Sequence, residues 1–191
     1  MSVRKIATVG NPVLRTVARA LTPEELATPQ WQTFIDDLVE TMHDANGAGL
    51  AATQVEESVR ICAIHVHDNP RYPYKPNIPL TILVNPEITP LTDETFSNYE
   101  GCLSVPNLRG EVDRIVHIRV KALDRHGKPI DMEIKGLTAG TFQHEVDHLD
   151  GKLFLDRVSD TTTLCTWADF DRFQKEAFVA RAKALVAKFG S

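Results

Sequence analysis

An α+β fold is what this sequence predicts: antiparallel or mixed β-sheets packed around a central helix, with further helices toward the N- and C-termini. Three observations carry the prediction. Two adjoining stretches alternate polar and apolar residues as strands do, three others carry apolar residues at helical spacing, and helices and strands do not alternate regularly along the chain. With 191 residues there is enough chain for one hydrophobic core, so a single domain over 1–191 is expected, ending in a helical extension from about 160 to 191.

Near the start, Thr22-Pro23-Glu24-Glu25 reads as a capping box with proline at the first helical position. Phe34, Ile35, Leu38, Val39 and Met42 follow at helical spacing and predict an amphipathic helix over about 30–45, stopped at Asn46-Gly47. Strands are expected over Val59 to Val66, Leu80 to Val84 and Ile115 to Leu123. The last of these should turn at Asp124 to Lys128 and pair with Ile130, Met132 and Ile134 as a hairpin. Between the first two, Pro70, Pro73, Pro76 and Pro79 forbid regular structure and mark Asp68 to Pro79 as a surface loop. Thr138 to Leu149 has helical spacing and ends before Gly151, a suitable left-handed cap. A final helix over about Trp167–Phe189 would bury Phe170, Phe173, Ala177, Ala180 and Ala184.

Composition narrows the function. Hydrophobic residues are 42% and charged ones 25%, as in folded water-soluble chains, and a net charge of −5 lacks the excess of cations that nucleic acid demands. No apolar run approaches the length of a membrane span, and the N-terminus has no secretory h-region. Cys62, Cys102 and Cys165 are odd in number and isolated, which suits a reducing compartment, and a cytoplasmic location is expected.

The sharpest motif is His144-Glu145-Val146-Asp147-His148. Residues four apart lie one above the other on a helix, so both imidazoles could grip one metal ion while Glu145 reaches a water on it. A catalytic site normally takes a third protein ligand. The longer HExxHxxGxxH pattern would need a histidine where Phe154 stands. A downstream glutamate, as in a zinc endopeptidase, could only be Glu176. Upstream, Cys102 in Glu100-Gly101-Cys102-Leu103-Ser104 offers a thiolate, a strong ligand for zinc or ferrous iron. His65 and His67 share a strand face without an evident third ligand and, with His43, His117 and His126, are expected at the surface.

Three segments, Gly47-Ala48-Gly49-Leu50-Ala51-Ala52-Thr53-Gln54, Glu100-Gly101-Cys102-Leu103-Ser104 and His144-Glu145-Val146-Asp147-His148-Leu149-Asp150-Gly151, resemble the signature segments of peptide deformylases, in the same order. Asn11-Pro12-Val13-Leu14-Arg15 and Asn85-Pro86-Glu87-Ile88 extend the resemblance to roughly residues 5–158; Thr53 stands where many members carry proline. The resemblance implies that Cys102, His144 and His148 hold one divalent ion, commonly Fe²⁺, with Zn²⁺, Ni²⁺ or Co²⁺ able to replace it. It implies that Glu145 is the general base and acid, and that Gln54 and the backbone N–H of Leu103 stabilise the oxyanion. Removal of the formyl group from formylmethionine on newly made polypeptides, with release of formate, would be the reaction.

Gly47, Gly49, Leu50, Glu100, Gly101, Arg109, Leu137 and Thr141 are the candidate substrate-binding positions. Leu137 and Thr141 precede His144 by seven and three residues and could line a pocket for an unbranched apolar side chain. Arg109 could contact the second motif or the peptide, and Glu100 could orient Arg109. Nascent chains are the implied partners, with the ribosome a further one through the modestly basic final helix; neither nucleic acid nor membrane is expected. An idle relative that only binds formylated peptides is the alternative from a different class.

Overall fold

The computed structural model describes residues 2–69 and 71–191; Met1, and Pro70 of the proline-rich loop, lie outside them. Thr22 and Glu25 exchange the two hydrogen bonds of the capping box on a one-turn helix, α1 (Pro23–Leu26). The amphipathic stretch forms a separate helix, α2 (Pro29–Asp44), which buries Trp31, Phe34, Ile35, Leu38 and Met42.

Five strands form one antiparallel sheet in the order β1 (Gly49–Ala51), β2 (Ile61–Val66), β3 (Ile78–Pro90), β6 (His117–Leu123), β7 (Pro129–Lys135). The expected hairpin is present, with Val120 opposite Met132. Strand β3 is longer than its apolar run. A bulge between Val84 and Glu87, with Asn85 at φ 52°, lets pairing resume beyond Pro86.

A second sheet pairs β4 (Thr95–Cys102), β5 (Val105–Ile115) and the short β8 (Cys165–Thr166), all antiparallel. Sequence reasoning did not place β4, nor β5 up to Ile115. Their buried positions include Asn98, Glu100, Arg109 and Arg114, so the apolar alternation that signals a strand is absent although the chain is extended and enclosed. The predicted strand from Ile115 to Leu123 is in fact split at Val116 between β5 and β6.

Helix α3 (Gly136–Leu149) runs between the two sheets, touching strands of both, and ends at Gly151 with φ 69° as expected. A Cβ on Gly151 would lie 2.8 Å from the Arg15 carbonyl oxygen, so the glycine serves a close approach as well as a turn. Beyond it, α4 (Trp167–Asp169) leads through a π-turn (Phe170–Gln174) into α5 (Lys175–Phe189). The π-turn adds a residue and moves the buried stripe one position along: Phe178 and Ala182 are buried and Leu185 half-buried, whereas Phe173, Ala177, Ala180 and Ala184 face solvent. Phe170, Phe178 and Ala182 join the same apolar cluster as Ile64, Leu83 and Leu137. No helix among the described residues is long and apolar enough to cross a membrane.

Candidate active site

Three elements converge on α3. A 3-10 turn (Ala52–Val55) presents Gln54, the end of β4 presents Cys102, and α3 presents His144, Glu145 and His148. One ligand atom from each of Cys102, His144 and His148 lies within 4.8 Å of the others, and this is the one such group found among the described residues. His148 Nε2 is 3.3 Å from Cys102 Sγ, which also accepts from the Ser104 N–H and from Gln54 Nε2, each at 3.4 Å.

Each partner is held from behind. Glu100 Oε2 accepts from His144 Nδ1 at 2.8 Å, which turns Nε2 toward the thiol. Glu100 is itself clamped by both Nε and Nη2 of Arg114, whose Nη1 reaches Asp147 at 2.6 Å. Gln54 is fixed by the Ala51 N–H on its oxygen and by its own bond to Ser104 Oγ. Thr53 donates its hydroxyl to the His148 carbonyl at 3.1 Å, which ties the first motif to the helix.

Glycines at 47 and 49 act by proximity and not by left-handed backbone; it is Asn46 that takes φ 51°. A Cβ on Gly49 would sit 2.3 Å from Glu145 Oε1, and one on Gly47 would sit 3.0 Å from Leu103 Cδ1. A side chain at 49 would therefore evict the Glu145 carboxylate from its place.

Burial opposes charge on Cys102, but His148 and then His144 outweigh it and hold the thiol well below its ordinary value. His144 is held well above its own, against burial, chiefly by Glu100 and then Cys102. A site that draws a proton onto an imidazole favours a cation. Burial raises the Glu145 carboxyl, with His144 and His148 pulling against it, and Glu145 Oε2 and His148 Nδ1 are buried without a hydrogen-bond partner. A soft thiolate, two imidazoles and an orphaned carboxylate oxygen fit a borderline-soft divalent ion with a neighbouring base.

Cys102, His144, Glu145 and Gln54 line a cavity of about 40 Å³, shared with Gly47, Gly49, Leu103, Glu100, Gly101 and Thr141, with His148 behind it. Three expected positions do not face it. Leu50 is fully buried toward α2, where the inward side of β1 must pack. Leu137 lies under α5 with Phe96 and Phe178. Arg109 is turned toward Tyr74, Tyr99, Trp167 and Phe170, and Glu100 pairs with Arg114 instead. Glu176 is exposed on α5, away from the histidines, which removes the zinc endopeptidase ligand set. His43 and His65 are not separate surface residues: their Nε2 and Nδ1 atoms are 2.8 Å apart.

Sequence reasoning missed Ser104, Asn98, Tyr72, Lys75, Arg114 and Asp147. Asp147 lies inside the helical motif, so its position was visible but its partner was not. Lys75 sits in a loop read only as a break in structure.

A polypeptide deformylase family model matches residues 3–163. The peptide deformylase of Leptospira biflexa is 43% identical over 162 residues, covering 84% of this chain and 90% of the relative. Peptide deformylase 1 of Bordetella pertussis is 44% identical over 160 residues, covering 84% and 90%. Among solved structures, a Met-Ala-Ser-bound class I type b peptide deformylase from Acinetobacter baumannii superposes with a TM-score of 0.79 at 38% identity, covering 83% of this chain and all of that one. An actinonin complex from Synechococcus elongatus, with a TM-score of 0.73 at 28% identity, covers 97% of this chain and 85% of that one. By sequence and by structure the chain belongs to the polypeptide deformylase family, metal-dependent hydrolases that remove the N-formyl group from newly made polypeptides.

Proposed function

We propose that Cys102, His144 and His148 hold a single divalent ion, Fe²⁺ foremost with Zn²⁺, Ni²⁺ or Co²⁺ able to replace it, and that Glu145 and Gln54 carry the deformylation. The observation that supports this most is the mutual approach of the three ligand atoms beside a buried, unpartnered Glu145 oxygen. When bound, the ion lowers the pKa of a water toward neutrality and polarises the formyl oxygen.

The chain's own groups do the rest. Glu145, raised by burial, takes the proton as water attacks the formyl carbon and returns it to the departing amine nitrogen, so that formate and a free N-terminus result. The Gln54 amide, fixed at its oxygen and by Ser104, turns the N–H that it gives to Cys102 Sγ toward the charge gathering on the formyl oxygen, and the Leu103 backbone N–H serves the same charge from the facing strand end. Gly47, Gly49, Glu100, Gly101 and Thr141 bound the substrate, for which the Met-Ala-Ser complex of the Acinetobacter relative offers the pattern. The thiolate character of Cys102 makes the loaded enzyme sensitive to oxygen.

The reading takes all of 1–191 as one catalytic domain working on nascent chains in the cytoplasm. Docking on the ribosome through the final helix draws on less charge than its sequence suggests, since Lys175, Arg181 and Lys188 are paired with Asp171, Glu111 and Glu94. The test is formate release from formyl-Met-Ala-Ser by protein loaded with Fe²⁺ under anaerobic conditions, alongside metal analysis. Cys102→Ala should lose both the ion and the activity, whereas Glu176→Gln should keep both. A Cys102→Ala variant that retains a full equivalent of metal would overturn the ligand assignment.

A further inference from the structure

The sequence places His65 and His67 on one strand face and offers no third ligand for them. The fold brings His43 alongside. It sits in the last turn of α2, where Nε2 of His43 lies 2.8 Å from Nδ1 of His65 near the end of β2. The rings of His65 and His67 stand parallel to within 5°, their centres 6.4 Å apart. Three imidazoles thus stand in a row at the surface, none of them part of the cavity that holds Cys102 and His144.

Their spacing suits a chelate. The ring centres of His43 and His65 are 5.0 Å apart, the same separation as those of His144 and His148. Imidazole nitrogens bind zinc at about 2.0–2.1 Å, which at tetrahedral angles sets two of them roughly 3.3 Å apart. A small rotation of each ring opens the 2.8 Å contact to that distance with the ring centres left in place. Residues two apart on a strand project to the same side, so His67 is the natural third donor. Its side chain is 71% exposed and has room to turn toward the pair, and the exposed Asp68 carboxylate, 3.7 Å from His67 Nε2, adds negative charge beside it.

The pair is also in the state that binds a metal. Burial lowers His65, and His43 and His67 lower it further, so its ring is neutral at neutral pH and offers a lone pair. The proton in the His43–His65 hydrogen bond passes to the outer nitrogen of its own ring when both bridging nitrogens turn to an ion, and both imidazoles stay neutral.

The cluster stands next to the segment that borders the catalytic cavity. The His65 N–H donates to the Ala48 carbonyl at 3.0 Å, and Gly47, Ala48 and Gly49 all line the cavity. Asn69, two residues beyond His67, donates to the carbonyls of Asn46 and Gly47.

We propose that His43, His65 and His67 form a second metal site, separate from the deformylation centre, which takes a divalent ion of the borderline class and clips the end of α2 to β2. Exposed imidazoles favour Zn²⁺, Ni²⁺ or Cu²⁺ over Fe²⁺, and give no purchase to Mg²⁺, which prefers oxygen. The site therefore fills with a different ion from the one expected at Cys102, and the proposal does not depend on the deformylase reading.

The test is equilibrium dialysis of the tag-free full chain against Zn²⁺, in the presence of excess Mg²⁺. Two equivalents should bind, the second more weakly. His43→Asn and His65→Asn should each lose the second equivalent and keep the first, and His67→Asn should weaken the second. Cys102→Ala should do the reverse, losing the first and keeping the second, so failure of the catalytic ligand set shows separately from failure of this site. In the wild type, the imidazole NMR signals of His43 and His65 should move only as the second equivalent is added. A single bound equivalent in the wild type, or a second that survives His43→Asn and His65→Asn together, overturns the proposal.

Discussion

Arg109 and Arg114 lie five residues apart on β5, are both buried, and project to opposite faces of the same small sheet. Arg114 faces α3 and is neutralised by two carboxylates, Glu100 and Asp147. Arg109 faces the C-terminal helices with no carboxylate within salt-bridge distance among the described residues. It donates to the Tyr99 carbonyl at 2.6 Å and to Tyr74 Oη, and its guanidinium lies 4.4 Å from the Trp167 ring centre and 3.9 Å from that of Phe170. A buried cation can thus be accommodated by charge or by π-faces and carbonyls, and the choice follows what lies behind it. Arg114 backs the charged groups that orient His144, a proposed metal ligand. Arg109 fastens the loop and helices that shape the far end of the pocket.

Removing Arg114 should have the larger effect. Arg114→Met leaves Glu100 and Asp147 buried beside an apolar side chain and should cost about 3–5 kcal/mol in urea unfolding. With Glu100 no longer clamped, His144 loses its orientation, and metal affinity should fall about 10- to 100-fold by competition with a chelator. Arg109→Met should cost about 1–3 kcal/mol, from unpaired Tyr99 and Tyr74 groups and lost ring contacts, with metal content unchanged. Its signature is local: amide exchange should quicken over residues 71–79 in this variant before it does so in α3.

Acid separates the two faces more finely. Burial disfavours both carboxylates, yet Arg114 and His144 hold Glu100 well below its ordinary 4.5, and Arg157 with Arg114 holds Asp147 below 3.8. Groups with lowered folded-state values stabilise fully above their unfolded values, and that stability is lost as pH falls through the lowered ones. Urea midpoints should therefore drop between about pH 5 and about pH 3 in wild type and in parallel in Arg109→Met, and should drop less steeply in Arg114→Met.

The same contrast explains what could be read in advance. The histidine pair was legible because its geometry is local, four residues along one helix. Cys102 stands out locally only as a thiol among glycine and small or polar residues, with no metal-binding period around it, and the resemblance between separated motifs is what singles it out over Glu176. The sheet around it stayed hidden because Glu100, Asn98, Arg109 and Arg114 occupy inward positions that a strand pattern expects to be apolar. Three of them pair with groups distant in sequence: Glu100 to His144 spans 44 residues, Arg114 to Asp147 spans 33, and Arg109 to Tyr74 spans 35. The buried face of the last helix was misplaced by one residue because a π-turn leaves no mark in composition. Lys75 was invisible for a related reason: its loop is shaped by prolines locally but placed by aromatic residues nearly a hundred positions away.

The assignment of proton transfer to Glu145 stands or falls on one variant, Glu145→Gln, which keeps the shape of the side chain and removes the base. Formate release from formyl-Met-Ala-Ser should be measured at a metal content matched to wild type. The expected result is a full equivalent of bound ion with kcat lower by about 10²- to 10⁴-fold. A variant that binds its metal and turns over at close to the wild-type rate would contradict the account.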